Sequence, residues 1–182
     1  MTNSNQTNQL VSKVEGSTLI LERIFKAPRE LVFKAFSEAE HLKHWWGPKG
    51  WTLPVCHVDF RPGGTWHYCM KCEDKSQGDF YGMESWGKAI YREISIPEQI
   101  IYTDGFSDAE GNISKDLPET LVQLDFIELN GQTKLVNTGK YASPEALQQV
   151  IDMGMLPGIS QTFDNLDVHL ENIQKHSSEK IR

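Results

Sequence analysis

The longest regular pattern of apolar and polar positions lies near the C-terminus, from about Pro157 to Lys175. Ile159, Phe163, Leu166, Leu170 and Ile173 recur there at alternating spacings of four and three, which predicts one apolar stripe along a long amphipathic helix. Asp164, Asp167 and Glu171 flank the stripe, so the helix should lie on another element, its carboxylates forming a solvated face. Most of the chain before it carries β signals. Ser17–Phe25 is β-prone, with Leu19 and Leu21 in phase. The period then switches at Ala27-Pro28: proline suits the first turn of a helix, and Leu31, Val32, Ala35 and Phe36 supply its buried face. A second short helix is predicted over Ala39–Trp45, ended by the Gly47–Gly50 loop.

Strands follow. Trp51–Arg61 and Thr65–Glu73 flank Pro62-Gly63-Gly64, a hairpin signal. Asp74–Tyr81 reads as a turn, Gly82–Ile96 and Glu98–Ser107 as two strands divided at Pro97, and Asp108–Pro118 as a mobile loop. Thr120–Leu129 and Thr133–Tyr141 make a last hairpin across Asn130-Gly131, the dipeptide that accepts positive φ at both turn positions. Ser143-Pro144-Glu145 starts another helix with a hydroxyl cap, a proline and an early acid. Gly154–Gly158 should break it before the long helix resumes. The expected fold class is therefore α+β, in the order β-α-α-β(5-6)-α. Its antiparallel sheet of about six or seven strands covers its core with one layer of helix. Met1–Gly16 has no periodic apolar pattern and is expected to be a disordered polar tail; residues 17–176 form the single domain, and residues 177–182 a flexible end.

Composition narrows the function classes. A net charge of −7 over 182 residues argues against a broad nucleic-acid surface and against a polybasic membrane anchor. No apolar run approaches the roughly 20 residues of a spanning helix. The first residues lack the order of a signal peptide, and three cysteines, an odd number, fit reduced thiols better than a disulfide framework. A cytoplasmic location is expected.

Several motifs occur in an order that resembles the family of activator-of-heat-shock-ATPase homologues (AHSA-like). They are Arg23–Phe33 (RIFKAPRELVF), His41–Pro48 (HLKHWWGP), Asp59–Trp66 (DFRPGGTW), Tyr141–Glu145, and Gly154-Met155 with Gly158. The resemblance covers roughly residues 17–175. It implies the helix-grip fold of the START-like, or SRPBCC, superfamily, a curved sheet around a C-terminal helix that matches the order above. It also implies a range of roles, from a co-chaperone domain that stimulates a heat-shock ATPase to proteins that bind an antibiotic.

Candidate chemistry is sparse. His57, Asp59, His67 and Cys69 share the outer face of the first hairpin, but same-face neighbours on paired strands stand about 5 Å apart and converge poorly on a metal. The expected site has no metal or cofactor. No Gly-x-Ser-x-Gly elbow or phosphate-binding loop is present, so no catalytic residue is assigned. The aromatic inventory is the stronger clue. Trp66, Tyr68, Trp86, Tyr102, Phe106, Phe126, Met155 and Phe163 are the candidate lining of a cavity between sheet and long helix, with Tyr68, Trp86 and Tyr102 as hydrogen-bond donors. The favoured function is non-catalytic binding of a small hydrophobic or aromatic molecule. The loops at Gly47–Gly50 and Asp108–Pro118 and the Gly154–Gly158 break would gate entry. A module that binds a chaperone ATPase through its surface is the alternative, and an enzyme acting on a cavity-bound substrate the third.

Overall fold

A computed structural model describes residues 9–181. The chain forms β1 (Val11–Glu15), β2 (Thr18–Phe25), α1 (Arg29–Ser37), α2 (Ala39–Trp45), β3 (Trp51–Val58) and β4 (Thr65–Cys72). After them come β5 (Glu84–Ser95), β6 (Gln99–Phe106), β7 (Thr120–Leu129), β8 (Gln132–Lys140), α3 (Pro144–Asp152) and α4 (Met155–Glu179). All strands join one antiparallel sheet in the order β1-β2-β8-β7-β6-β5-β4-β3. This is a helix-grip fold: the chain lays down the sheet and then folds its last helix onto the sheet's apolar face.

Eight strands form where six or seven are expected. The added one is β1, inside the stretch expected to be a disordered tail. It pairs with β2 from Val11↔Glu22 to Glu15↔Thr18 around Gly16, whose φ of +63° suits a tight reversal. All five of its residues are exposed. An edge strand held by backbone pairing alone has no buried face, and so leaves no alternation in the sequence. The rest of the expected tail, residues 1–8, lies outside the described residues. At the other end α4 continues to Glu179, past the expected boundary at 176. The other edge, β3, carries Pro54 at a register shift between Thr52 and Val55, the kind of position where a sheet tolerates proline.

The core follows from alternation. Leu19, Leu21 and Phe25 of β2, Trp66 and Tyr68 of β4, Ile100 and Tyr102 of β6, and Val122, Leu124 and Phe126 of β7 all point inward and are buried. Phe163, Leu166 and Leu170 of α4 meet them. Phe36 of α1 is the hub of an edge-to-face aromatic layer, with ring centroids 4.8 Å from Trp45, 5.5 Å from Phe126 and 6.3 Å from Phe163. Trp45 donates its indole N–H to the Ala35 carbonyl at 3.0 Å, so the Trp-Trp-Gly-Pro motif fastens α2 to α1 and the sheet.

One inward position is charged. Arg23 continues the Leu19–Leu21–Phe25 face of β2 and is 4% exposed. It donates to the Asp164 carboxylate at 2.7 Å, to Asp167, and to the Ser160 carbonyl at 3.4 Å. The two aspartates thus anchor α4 to the sheet in addition to bordering solvent. Removing one member of a buried pair strands the other, which typically costs about 3–5 kcal/mol. We expect Arg23→Ala to lower the unfolding free energy in urea by about 2–4 kcal/mol. Asp164→Asn should cost under about 1 kcal/mol, because that side chain is 65% exposed.

Candidate functional site

A cavity of about 240 Å³ opens where α3 gives way to α4. Its floor is the inner face of the sheet: Tyr68 and Met70 of β4, Gly87 of β5, Asp104 and Phe106 of β6, and Thr120 of β7. Val150 of α3 and Met155 of α4 cover it, beside Tyr141. The helix break creates the space. Gly154 adopts φ +89°, turning the chain between α3 and α4, so that the end of one helix and the start of the next each reach the cavity with a single side chain, Val150 and Met155. Larger hollows of about 510 and 410 Å³ lie along the C-terminal half of α4, but both are bordered mainly by charged and polar side chains, Glu171 and Gln174 among them. They lack the apolar walls that hold a small molecule.

The local geometry depends on Gly87. A Cβ there would stand 2.4 Å from the Tyr68 ring, so glycine lets that ring lie across β5 toward β6. The Tyr68 hydroxyl then donates to the Asp104 carboxylate, 3.3 Å from Oδ1 and 3.5 Å from Oδ2. Burial pushes the Asp104 carboxyl up to about 7; the hydrogen bonds from Tyr68 and the Gly105 amide restrain the rise, and Glu119 adds to it. Burial likewise raises the hydroxyls of Tyr68 and Tyr102 well above 10, with the Asp104 charge contributing. Both remain proton donors at physiological pH.

Of the residues expected at the site, Tyr68, Phe106 and Met155 meet in the cavity. Trp86 lies at its border, but its strand parity sets the indole on the outer face, where its ring centroid is 5.2 Å from that of His67. Trp66, Tyr102, Phe126 and Phe163 pack in the core instead and do not line the cavity. Among the expected gates, Pro118 and Met155 contribute to the wall, whereas Gly47–Gly50 does not. That loop is tied to α4, where Asn165 donates to the Gly47 carbonyl at 2.9 Å. The Asp108–Pro118 loop is internally braced: the Asp108 carboxylate accepts from the Asn112 amide at 2.8 Å, and Lys88 donates to the Gly111 carbonyl at 3.0 Å. Sequence reasoning missed Asp104. The signal was its parity, since an acid midway between Tyr102 and Phe106 shares their face of β6.

On the outer face of the first hairpin, His57 pairs with His67 and Val55 with Cys69. Among the described residues no group of three His, Cys, Asp or Glu side chains converges as a metal site. All three cysteines are free and buried.

A second titratable cluster joins α2 to α4. His41 Nδ1 lies 3.0 Å from His169 Nε2, and His44 stacks on His169 with centroids 5.2 Å apart. Glu38 is 3.5 Å from His41 on the other side. Burial, reinforced by the two neighbouring imidazoles, holds His169 down to about 4.

The helix-grip sheet and the cavity under its helix break define the chain as a START-like binding domain. The chain belongs to the family described as Activator of Hsp90 ATPase homolog 1-like protein, whose model matches residues 26–171. Among solved structures it is similar to protein Ms6760 from Mycobacterium smegmatis, with 31% identity over 88% of this chain and 94% of that one and a TM-score of 0.77. A protein from Arthrobacter aurescens shares 25% identity over 90% and 91% of the two chains, also at 0.77. One from Staphylococcus epidermidis shares 26% over 89% and 94%, at 0.76. No curated protein matches the chain. Among the described residues no helix is long and apolar enough to cross a membrane.

The two perturbed groups make opposite contributions to stability. Unfolded, His169 would bind its proton near 6.5; folded, it does so only near 4. Between these values the unfolded state holds more protons, so stability falls as the pH drops from 6.5 to 4. After discounting for partial exposure this amounts to about 1 kcal/mol, and His169→Gln should flatten that part of the profile. Asp104 acts in the other direction. Its folded proton is held to about 7 against an ordinary 3.8, so the stability it contributes at acid pH is lost as the pH rises through 7. Asp104→Asn is therefore expected to stabilise the protein by about 2 kcal/mol at pH 8 and to be near neutral at pH 4. Denaturant titrations of wild type and the two variants at pH 4, 6 and 8 check both signs.

Proposed function

We propose that this protein is a non-catalytic carrier or sensor of a small aromatic or hydrophobic molecule, held between the sheet and the α3–α4 junction. The observation that carries the reading is a cavity walled mainly by aromatic, aliphatic and thioether side chains with a few polar groups, the hydroxyls of Ser85, Thr120 and Tyr141 and the hydrogen-bonded pair Tyr68 and Asp104. Small-molecule sites combine an apolar wall with few polar groups in this way. At about 240 Å³ it lies just below the usual range of about 300–1,000 Å³, so its occupant is small. Catalysis would rest on Asp104, since the neighbouring phenols are held in their protonated form.

The test is native mass spectrometry of the freshly purified protein against its denatured mass, together with thermal shifts across a set of small aromatic compounds. A retained or added compound should raise the melting temperature. Val150→Phe, which enlarges a side chain over the cavity, should weaken it by about tenfold or more with the fold intact. Absence of both a retained mass and any thermal shift would contradict this function.

A surface function has one specific observation in its favour. Phe80, Tyr81 and Met83, between β4 and β5, are 56%, 49% and 49% exposed, an apolar cluster of the kind that partners cover. The family's description makes a heat-shock ATPase the partner to try. Stimulation of such an ATPase by wild type but not by Phe80→Ser/Tyr81→Ser would establish it; no stimulation by either would dismiss it.

A further inference from the structure

We propose that the cavity selects a small molecule with an apolar aromatic body and a single protonated amine, the ammonium seated against Asp104. This rests on the cavity being a ligand site and names the chemistry of its ligand. Among the described residues, Asp104 is the only formally charged side chain in the lining, and no Lys, Arg or His lines the cavity. Among the described residues, the titratable groups around it are all neutral or acidic: Tyr68 from β4, Tyr91 from β5, Tyr102 from its own strand, Tyr141 after β8, and Glu119 just before β7. The two helices add Val150 and Met155, neither of which titrates.

A carboxylate beside apolar walls with no cationic partner is poorly solvated. A hydrogen bond from Tyr68 compensates it in part. The complementary ligand group is therefore a cation, which regains Coulomb energy that the protein itself does not supply. Around the acid stand the rings of Tyr68, Phe106 and Tyr141, and aromatic faces attract a desolvated ammonium. The thioethers of Met70 and Met155 leave polarizable, adaptable walls for the ligand's ring. An anionic ligand would meet Asp104 as a like charge, and among the described residues no counter-charge lines the cavity.

The experiment compares three probes of matched shape, 2-phenylethylamine, 2-phenylethanol and phenylacetate. Calorimetric titration uses the full-length protein and its Asp104→Asn variant at pH 8. The amine should bind about tenfold or more tightly than the alcohol, with phenylacetate weakest. Asp104→Asn should bring the amine to the level of the alcohol measured on the same variant. On wild type, lowering the pH to 5.5 should weaken the amine by about tenfold or more, because only the ionised fraction of Asp104 is competent, and should spare the alcohol. The amine itself stays protonated throughout, as a lysine does. This last arm needs no variant and decides the matter if Asp104→Asn fails to fold. Equal binding of amine and alcohol by wild type, or an amine preference that survives Asp104→Asn or acidification, would overturn the selectivity while leaving the cavity reading in place. Failure of all three probes to bind wild type at millimolar concentration would overturn both.

Discussion

An antiparallel sheet with one apolar face must have that face covered, and one helix cannot cover eight strands. The rest of the structure follows from how the chain meets this constraint. α4 packs on the sheet's apolar face through Phe163, Leu166 and Leu170, and Arg23 of β2 fixes it by its ion pairs to Asp164 and Asp167. α1 and α2 fill one flank with the Phe36–Trp45 aromatic layer. α3 and α4 share the rest of the task, and the left-handed turn at Gly154 separates them. The cover is thin there, Val150 and Met155 standing over a piece of sheet that becomes the cavity floor.

The same place concentrates the molecule's electrostatic cost. A core made of Phe, Leu and Ile would be better served at position 104 by an apolar residue, as its neighbours Ile100 and Tyr102 illustrate. Asp104 instead sits where burial opposes its charge, with Tyr68 laid across Gly87 to reach it. A group that lowers stability when ionised and is positioned by a glycine-permitted contact is more readily explained by recognition than by folding. Arg23 is the instructive contrast: it too is a charge on the inner face, but its carboxylate partners come from the helix it must hold. Its role is complete within the fold.

The architecture was largely legible in the sequence because each element carries its own local signal. The Ile159–Ile173 stripe marked α4, the Pro-Gly-Gly and Asn-Gly turns set two hairpins, and Ser143-Pro144 marked the start of α3, where the serine side chain accepts from the Ala146 amide at 3.1 Å. β1 was hidden because an exposed edge strand buries nothing. The site was legible in part. Parity correctly grouped Tyr68 with Trp66, yet only Tyr68 reaches the cavity, because Trp46 packs over Trp66 with ring centroids 4.7 Å apart. Alternation gives the face on which a residue stands, but the division of that face between packed core and open space depends on where the helices end. Trp86 shows the complementary limit: aromatic character suggested a cavity residue, whereas its position one step from Gly87 puts the ring outside. Asp104 carries no aromatic signal, although the register that places Tyr102 and Phe106 on the inner face places the acid there as well.

The most direct measurement of ligand binding under the α3–α4 junction uses the methionines as built-in reporters. Met70 and Met155 line the cavity, while Met83 and Met153 are about half exposed outside it. In protein carrying carbon-13 methionine methyl groups, titration with 2-phenylethylamine or 2-phenylethanol should shift the Met70 and Met155 methyl resonances saturably. Those of Met83 and Met153 should stay in place. Shifts confined to Met83 and Met153, or none at any of the four up to millimolar ligand, would contradict the assignment of the cavity as the functional site.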